Sequence, residues 1–236
     1  MASRVTPVRR LLRRFGIDLV RSRPLSADFL ARLGVDTVLD VGANVGQYAG
    51  GLRAWGYRGR IVSFEPLGTA FAELSRRAAG DPRWDVVNTA VGAENGTAEI
   101  QVSELTVYSS IRRTLPALDT LDPRAAAVRS ETVSVRTIDA LLAERGIGGD
   151  RLFLKADTQG YEREVLRGAA GSLDRVRGLQ LELSLVPLYD GETLFREMLD
   201  LVDRAGFVLG AAEPVVFDER TQALLQLDCI FVRRPA

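Results

Sequence analysis

The sequence predicts an α/β fold, doubly wound, in which a mostly parallel sheet is closed at one edge by an antiparallel pair. Three observations predict it. From Thr37 to Asn88, apolar strand-like runs alternate with helix-like periodicity, the βαβαβ rhythm of a parallel sheet with covering helices. The first run breaks into Asp40-Val41-Gly42-Ala43-Asn44-Val45-Gly46 and resumes as a helix, the way a nucleotide-type cradle is built. The last two strand-like runs have no helical segment between them, so they pair antiparallel. Crossovers between parallel strands are almost always right-handed, and the doubly wound arrangement follows.

In chain order, residues 1–24 are basic, with Arg4, Arg9, Arg10, Arg13, Arg14, Arg21 and Arg23 among Leu11, Leu12, Phe15 and Leu19. No apolar stretch of about 7–15 residues follows the charges, as a signal peptide would require. No stretch approaches the roughly 20 apolar residues of a membrane span. Val8, Leu11, Leu12 and Phe15 fall at helical spacing, so residues 1–30 read as a basic helical segment ahead of a single domain over 31–236. A weak contact with an anionic membrane surface is one use for it. The simpler reading packs the helix on the domain and leaves the arginines in water, where charge runs usually sit.

Strands are expected at Thr37–Val41, Arg60–Phe64 and Asp85–Asn88, with helices at Val45–Trp55 and Thr69–Ala79. Gly96–Val102 alternates as a strand with Ala98, Ile100 and Val102 on one face, and Thr132–Arg136 alternates again. Between them Glu104–Arg129 is polar and irregular. The whole stretch at about 96–136 reads as an insertion with loops over the cleft, since long irregular segments in a compact domain are usually functional or mobile. Regularity returns with helix Ile138–Arg145, strand Leu152–Asp157, helix Tyr161–Arg167, strand Leu179–Leu183 and helix Glu192–Ala205. Phe207–Ala211 and Leu225–Val232 are the final pair.

Composition narrows the chemistry. With 46% hydrophobic and 26% charged residues and zero net charge, the chain is ordinary and globular and lacks the broad basic field of a nucleic-acid binder. Its one cysteine, Cys229, forms no internal disulfide and fits a reducing, cytoplasmic setting. There is no histidine, which excludes a His-dependent triad and a His metal site. A general base must then be Asp, Glu, Lys, Tyr, Cys or a metal-bound water or hydroxide.

The glycine turn narrows the ligand. Glycines without Cβ allow a ligand close to the backbone, and the helix start offers unpaired N–H groups. Asn44 stands where a dinucleotide fingerprint needs its middle glycine, and Gln47-Tyr48 follows Gly46 where a phosphate loop needs Lys-Ser or Lys-Thr. The remaining pattern is D-x-G-x-N-x-G. Asp40 ahead of the glycines suits a cationic or amine-bearing ligand, because a carboxylate repels pyrophosphate and attracts ammonium. Glu65 ends the second strand about 20 residues past the turn, where a carboxylate accepts hydrogen bonds from both ribose hydroxyls.

These segments, with Phe64-Glu65-Pro66 and Leu154-Lys155-Ala156-Asp157-Thr158-Gln159-Gly160-Tyr161-Glu162, resemble the FkbM-type family of S-adenosylmethionine-dependent methyltransferases over about residues 36–233. Ser109-Ser110, Arg136-Thr137-Ile138-Asp139 and Asp228-Cys229-Ile230-Phe231 extend the resemblance. The family has Ile or Val near Ala156 and often Glu at Gln159, mild departures here. The resemblance implies a Rossmann-like class I methyltransferase fold with seven strands and a final antiparallel hairpin. It implies S-adenosyl-L-methionine as cofactor, with Asp40 and the turn Gly42, Ala43, Asn44 and Gly46 at the methionine part, Glu65 at the ribose, and Asn88 and Ala90 near the adenine. It also implies methyl transfer to a hydroxyl of a sugar, a glycolipid or a polyketide-like product. A nicotinamide-dependent oxidoreductase is the enzyme alternative, disfavoured by the missing fingerprint. A non-catalytic methyltransferase-like binding protein is the other, disfavoured by the filled Asp40, Glu65 and Asp157 positions.

Methyl transfer from a sulfonium is an in-line displacement, so the enzyme mainly positions the reactants, and a neutral alcohol also has to lose its proton. Candidates cluster at the C-terminal strand ends, where open α/β sheets bind ligands. Lys155, the only lysine, shares a strand face with Asp157 and is either a catalytic ammonium with a movable pKa or the partner of a carboxylate. Asp157 is the leading base, against a helix-capping role. Glu182 is flanked by apolar residues, where a carboxylate is costly unless it is paired or faces the site. Asp157 and Glu182 with waters would also suit Mg²⁺, but nothing in their spacing demands a metal. Ser109 and Ser110 are expected to close over substrate or to stabilise a turn, and Tyr161 to line the pocket.

Overall fold

The computed structural model describes residues 27–149 and 151–234; the basic segment expected over residues 1–24 lies outside them. The described strands are β1 (Thr37–Val41), β2 (Arg60–Phe64), β3 (Trp84–Val87), β4 (Ala90–Val91), β5 (Gly96–Ser103), β6 (Ala127–Arg136), β7 (Leu152–Ala156), β8 (Val176–Ser184), β9 (Phe207–Asp218) and β10 (Ala223–Arg233). The helices are α1 (Ala27–Arg32), α2 (Gln47–Ala54), α3 (Gly68–Ala78), α4 (Pro116–Leu121), α5 (Ile138–Glu144), α6 (Glu162–Gly168) and α7 (Phe195–Arg204).

Among the described residues the main sheet has seven strands in the order β3-β2-β1-β7-β8-β10-β9. The first five are parallel, and β10 runs antiparallel to both β8 and β9. The chain leaves β1 toward β2 and β3 and later returns to β7 on the other side of β1. That reversal opens a crevice beyond the strand ends.

Side-chain alternation along each strand feeds two cores. Leu39, Val41, Leu154, Leu179 and Leu181 pack under α5, α6 and α7, and Val38, Ile61 and Phe153 pack under α2 and α3 with Leu52 and Leu74. On this second face the apolar pattern gives way to polar residues toward the strand ends. Asp40 lies opposite Ser63 on one side and Lys155 on the other, and Lys155 lies opposite Gln180. This polar row crosses four strands directly below the crevice.

The sheet strands and most helices fall within a few residues of their expected positions. The differences lie at the irregular places. The insertion is more ordered than its polarity suggests: β4, β5 and β6 form a separate three-stranded sheet, and α4 with two short 3₁₀ turns occupies the stretch read as loop. Strand β6 begins at Ala127, five residues ahead of Thr132, because it pairs with β5 along its length. The last hairpin is also longer, with β9 and β10 paired up to Asp218 and Ala223. Its outer residues are exposed and so carry no apolar alternation.

Candidate active site

A cleft of about 500 Å³ opens at the C-terminal ends of β1, β2, β7 and β8 and is bounded on the far side by the insertion and by Val215 and Val216 of β9. Its first wall is the β1 turn. Gly42, Ala43 and Asn44 line it, but Gly46 does not. The absence of a Cβ at the two glycines is required by contacts within the protein. A Cβ on Gly42 would lie 1.9 Å from the Asp157 carbonyl oxygen, and one on Gly46 would lie 2.9 Å from Leu74 and 3.1 Å from the Trp84 ring. Both residues also have left-handed φ, +72° and +87°, which L-residues with a Cβ disfavour.

Asp40 is corrected in the same sense. It is fully buried and does not line the cleft. The cation it meets is the chain's own: Lys155 Nζ lies 3.3 Å from Asp40 Oδ1. Asp40 Oδ2 accepts from Ser63 Oγ at 3.0 Å, and Ser63 Oγ accepts from Trp84 Nε1 at 3.0 Å. Burial raises the Asp40 pKa, against the attraction of Lys155 and the Ser63 hydrogen bond.

Glu65 lines the cleft at the end of β2 and is 5% exposed. Its two oxygens accept the backbone N–H groups of Leu67 at 2.9 Å and Asn44 at 2.8 Å. An ionised carboxylate offers about four lone-pair sites, so one on each oxygen remains for a diol. Burial pushes its pKa up to about 7, although both backbone donors and the nearby Lys155 lower it. Asn88, expected beside a base, is exposed, and its amide donates to the Glu65 and Pro66 carbonyls at 2.9 Å each. It fixes the Glu65 turn, and Ala90 lines the cleft in its place.

The opposite end is acidic. Asp157 follows β7, Glu182 sits on β8, and Asp228 of β10 is the direct cross-strand partner of Glu182. All three line the cleft. Lys155 is 6% exposed, lies 3.5 Å from Asp157 Oδ2 and donates to the Gly42 carbonyl at 3.0 Å. Its burial favours loss of the proton, but the charges of Asp157 and Asp40 outweigh that and raise its pKa. These charges favour the ammonium form, and the ion pair with Asp40 holds β1 and β7 together under the cleft. Burial raises the Glu182 pKa well above the carboxylate range, with Asp157 and Asp228 adding to it. Burial likewise brings Asp228 up to about 6, with Asp157 adding and Lys155 opposing.

Ser109 and Ser110 reach the cleft, yet their hydroxyls are engaged. Ser109 Oγ accepts from the Ser103 N–H at 3.1 Å. Ser110 is buried, and its Oγ donates to the Gln159 carbonyl at 2.7 Å and accepts the Arg112 N–H at 3.0 Å. Ser109 braces the insertion internally and Ser110 ties it to the β7 loop, which fits the turn-stabilising alternative. Asn44 Nδ2 donates to Thr106 Oγ1 at 3.2 Å and joins the insertion to the first turn. Arg112 donates to the Gly160 carbonyl at 2.7 Å, pairs with Glu164 at 3.1 Å and stacks over Tyr161, which lines the cleft.

Three cleft residues, Gln159, Gln180 and Asp228, and Tyr189 behind them escaped the sequence reading as site residues. Gln159 bridges the acids, Tyr189 anchors Gln159, and Gln180 helps hold Asp228. Asp228 carried a usable signal, because it interrupts an apolar strand as Glu182 does. Among the described residues, no group of three or more His, Cys, Asp or Glu is arranged to hold a metal ion.

Comparison with known families identifies the class. The Methyltransferase FkbM domain matches residues 40–209, and the chain belongs to that family. Its fold is the Rossmann-like one of class I methyltransferases. Comparison with curated protein sequences gave no match. Among solved structures, magnesium protoporphyrin IX methyltransferase from Synechocystis PCC 6803 with bound SAM is 10% identical, with 88% of this chain and 76% of that chain covered and a TM-score of 0.48. An rRNA methylase from Streptococcus thermophilus is 12% identical over 92% of this chain and 100% of that one, with a TM-score of 0.48. Burkholderia thailandensis 1,6-didemethyltoxoflavin-N1-methyltransferase, with S-adenosylhomocysteine bound, is 15% identical over 96% and 84%, with a TM-score of 0.45. Nothing about the substrate follows from likenesses this distant.

Proposed function

We propose that this chain is an S-adenosylmethionine-dependent O-methyltransferase acting on a hydroxyl of an uncharged small acceptor: a sugar, a glycolipid or a polyketide-like product. Family membership supports methyl transfer over the nicotinamide alternative. The observation that carries the rest is the polarity of the cleft. One end presents a buried carboxylate suited to a diol, and the other presents three acids. Among the described residues the lining contains one cation, Lys155, which is already engaged by Asp40 and Asp157.

Two features fit the cofactor. Glu65 keeps spare acceptor sites toward the cleft, and Tyr48, on the cleft wall, has a buried hydroxyl with no hydrogen-bond partner. Glu65 would hold the ribose, the backbone of Gly42 to Asn44 the amino-acid part, and Ala90 would flank the base. S-adenosylmethionine, when bound, supplies an electrophilic methyl group on a sulfonium. The residues of the chain then position an acceptor hydroxyl and take its proton. Asp157 is the proton acceptor in this reading, since it ends β7 beside Lys155 and is partly open to the cleft. Among the described residues the lining offers phosphate no unpaired cation, which favours a small acceptor over nucleic acid. Cys229 is free and buried, in keeping with a cytoplasmic protein.

Calorimetry against S-adenosylmethionine and NAD tests the cofactor, with saturable binding expected for the first alone. A screen of neutral glycosides and polyketides with methyl-labelled cofactor tests the acceptor. Absence of S-adenosylmethionine binding overturns the proposal, and label transfer to RNA in preference to neutral acceptors overturns the acceptor class.

A further inference from the structure

Gln159 sits in the turn after β7, is 9% exposed and has φ +56°. A left-handed conformation at a residue with a Cβ costs on the order of 1–2 kcal/mol and persists only where its surroundings impose it. The surroundings here are specific. The Gln159 carbonyl accepts from Ser110 Oγ of the insertion at 2.7 Å. Its side-chain Oε1 accepts from the Tyr189 hydroxyl at 2.5 Å. Its Nε2 donates to Asp157 Oδ1 at 2.8 Å and to Glu182 Oε1 at 2.9 Å.

Chemistry settles the direction of this amide. Two carboxylate oxygens facing one amide end need a donor there, and the reverse orientation would aim Oε1 at both of them. Both amide hydrogens are then used by the protein and the amide oxygen is bonded to Tyr189, so Gln159 acts through its neighbours. Two carboxylates held this close with nothing between them share a proton and titrate as one system. An N–H to each removes the need to share.

We propose that Gln159 is a positioning residue that places an N–H against each of Asp157 and Glu182 and so weakens the coupling between them, and that Tyr189, bridged to Thr114 of the insertion, and Ser110 make this separation depend on the insertion being seated. The proposal rests on the reading of Asp157 as the proton acceptor. The other titratable or charged groups around the pair are Lys155 on β7, Asp40 on β1, Tyr48 on α2, Tyr108 of the insertion, Asp228 on β10 and Glu162 at the start of α6. The Tyr189 phenol closes the side beyond β8.

The test is a carboxyl ¹³C NMR titration of the full chain, with Asp157 and Glu182 assigned through Asp157→Asn and Glu182→Gln. The wild type is expected to show curves that influence each other only weakly. Gln159→Met, which keeps the length and loses both N–H groups, is expected to give coupled two-step curves with the upper midpoint raised by at least one pH unit. S-adenosylhomocysteine affinity should stay within about twofold. Tyr189→Phe frees the amide to rotate and is expected to shift the curves in the same direction by less. It also keeps the test open if Gln159→Met does not fold. Variant curves that overlay the wild type, or a wild type in which Asp157 and Glu182 already share a single proton, overturn the proposal. The titration uses neither cofactor nor acceptor, so it can fail while methyl transfer stands, and the reverse.

Discussion

At the β2 end of the cleft a single carboxylate, Glu65, is fixed by two backbone N–H groups. At the β8 end three carboxylates share one face, with Asp157 and Glu182 held by the Gln159 amide and Asp228 set opposite Glu182. The backbone-held group depends on the turns after β1 and β2 and is insensitive to most side-chain changes nearby. The side-chain-held groups come from strands far apart in sequence, and each alters the charge state of the others. The first arrangement suits an invariant ligand bound the same way each time. The second suits a step in which a proton has to move.

Substitutions at the two ends should therefore fail differently. The largest effect is expected at the acid end. Asp157→Asn should lower turnover on an accepted substrate by about 10²–10⁴-fold, the usual worth of a general base, while S-adenosylhomocysteine affinity measured by calorimetry stays unchanged. Turnover equal to wild type would remove Asp157 as the base. Next comes the contact that joins the ends. Gly42→Ala places a methyl 1.9 Å from the Asp157 carbonyl at φ +72°, which should cost about 3 kcal/mol or more in urea unfolding. Gly50→Ala is the matched control: it lies in α2 with nothing within 4 Å of an added Cβ, and the helix should gain about 0.5–1 kcal/mol from it. Equal stability of the two variants would show that the turn adapts.

At the cofactor end, Glu65→Ala should weaken S-adenosylmethionine binding by about 1–3 kcal/mol through loss of charge-assisted bonds, with calorimetry as the measure. The smallest effect sharpens the same point. With the Glu65 carboxyl raised to about 7, the fraction ionised grows from about one tenth at pH 6 to about nine tenths at pH 8. Affinity for S-adenosylhomocysteine should then rise roughly tenfold over that range and level off above it, and Glu65→Gln should flatten the curve. The folding contribution has the opposite sign. A raised carboxyl pKa means that the folded chain holds a proton the unfolded chain has lost. Stability from this group is thus full below pH 4.5, its ordinary pKa, and is lost as pH rises through about 7.

The same contrast explains what could be read in the amino-acid order. The parallel strands, Glu65 and Lys155 with Asp157 stand in short contiguous patterns of apolar runs, glycines and strand ends, and these were legible. The purpose of the glycines was not. A short segment shows that a Cβ is missing, but not whether the space is filled by a ligand or by the carbonyl of a residue more than a hundred positions away, as Asp157 fills the space at Gly42. Asp40 was misread for the same reason, since its ammonium partner stands beside it only once β1 pairs with β7. Gln159 and Tyr189 gave no signal, because their roles arise from contacts between loops. Asp228 gave the same signal as Glu182, an acid within an apolar strand, and its role follows once β10 is placed beside β8.

The insertion forms the far wall of the cleft, and its residues 104–126 span the gap between Ser103 and Ala127, which are paired partners on β5 and β6. The entropy of closing such a loop grows only with the logarithm of its length. About ten extra residues there would cost roughly 0.3 kcal/mol, less than one good hydrogen bond. The wall facing the acceptor can therefore be lengthened or rewritten with little thermodynamic penalty, while the glycine contacts under the opposite wall tolerate almost no change. The architecture lets the choice of acceptor drift through descent while the donor site stays fixed.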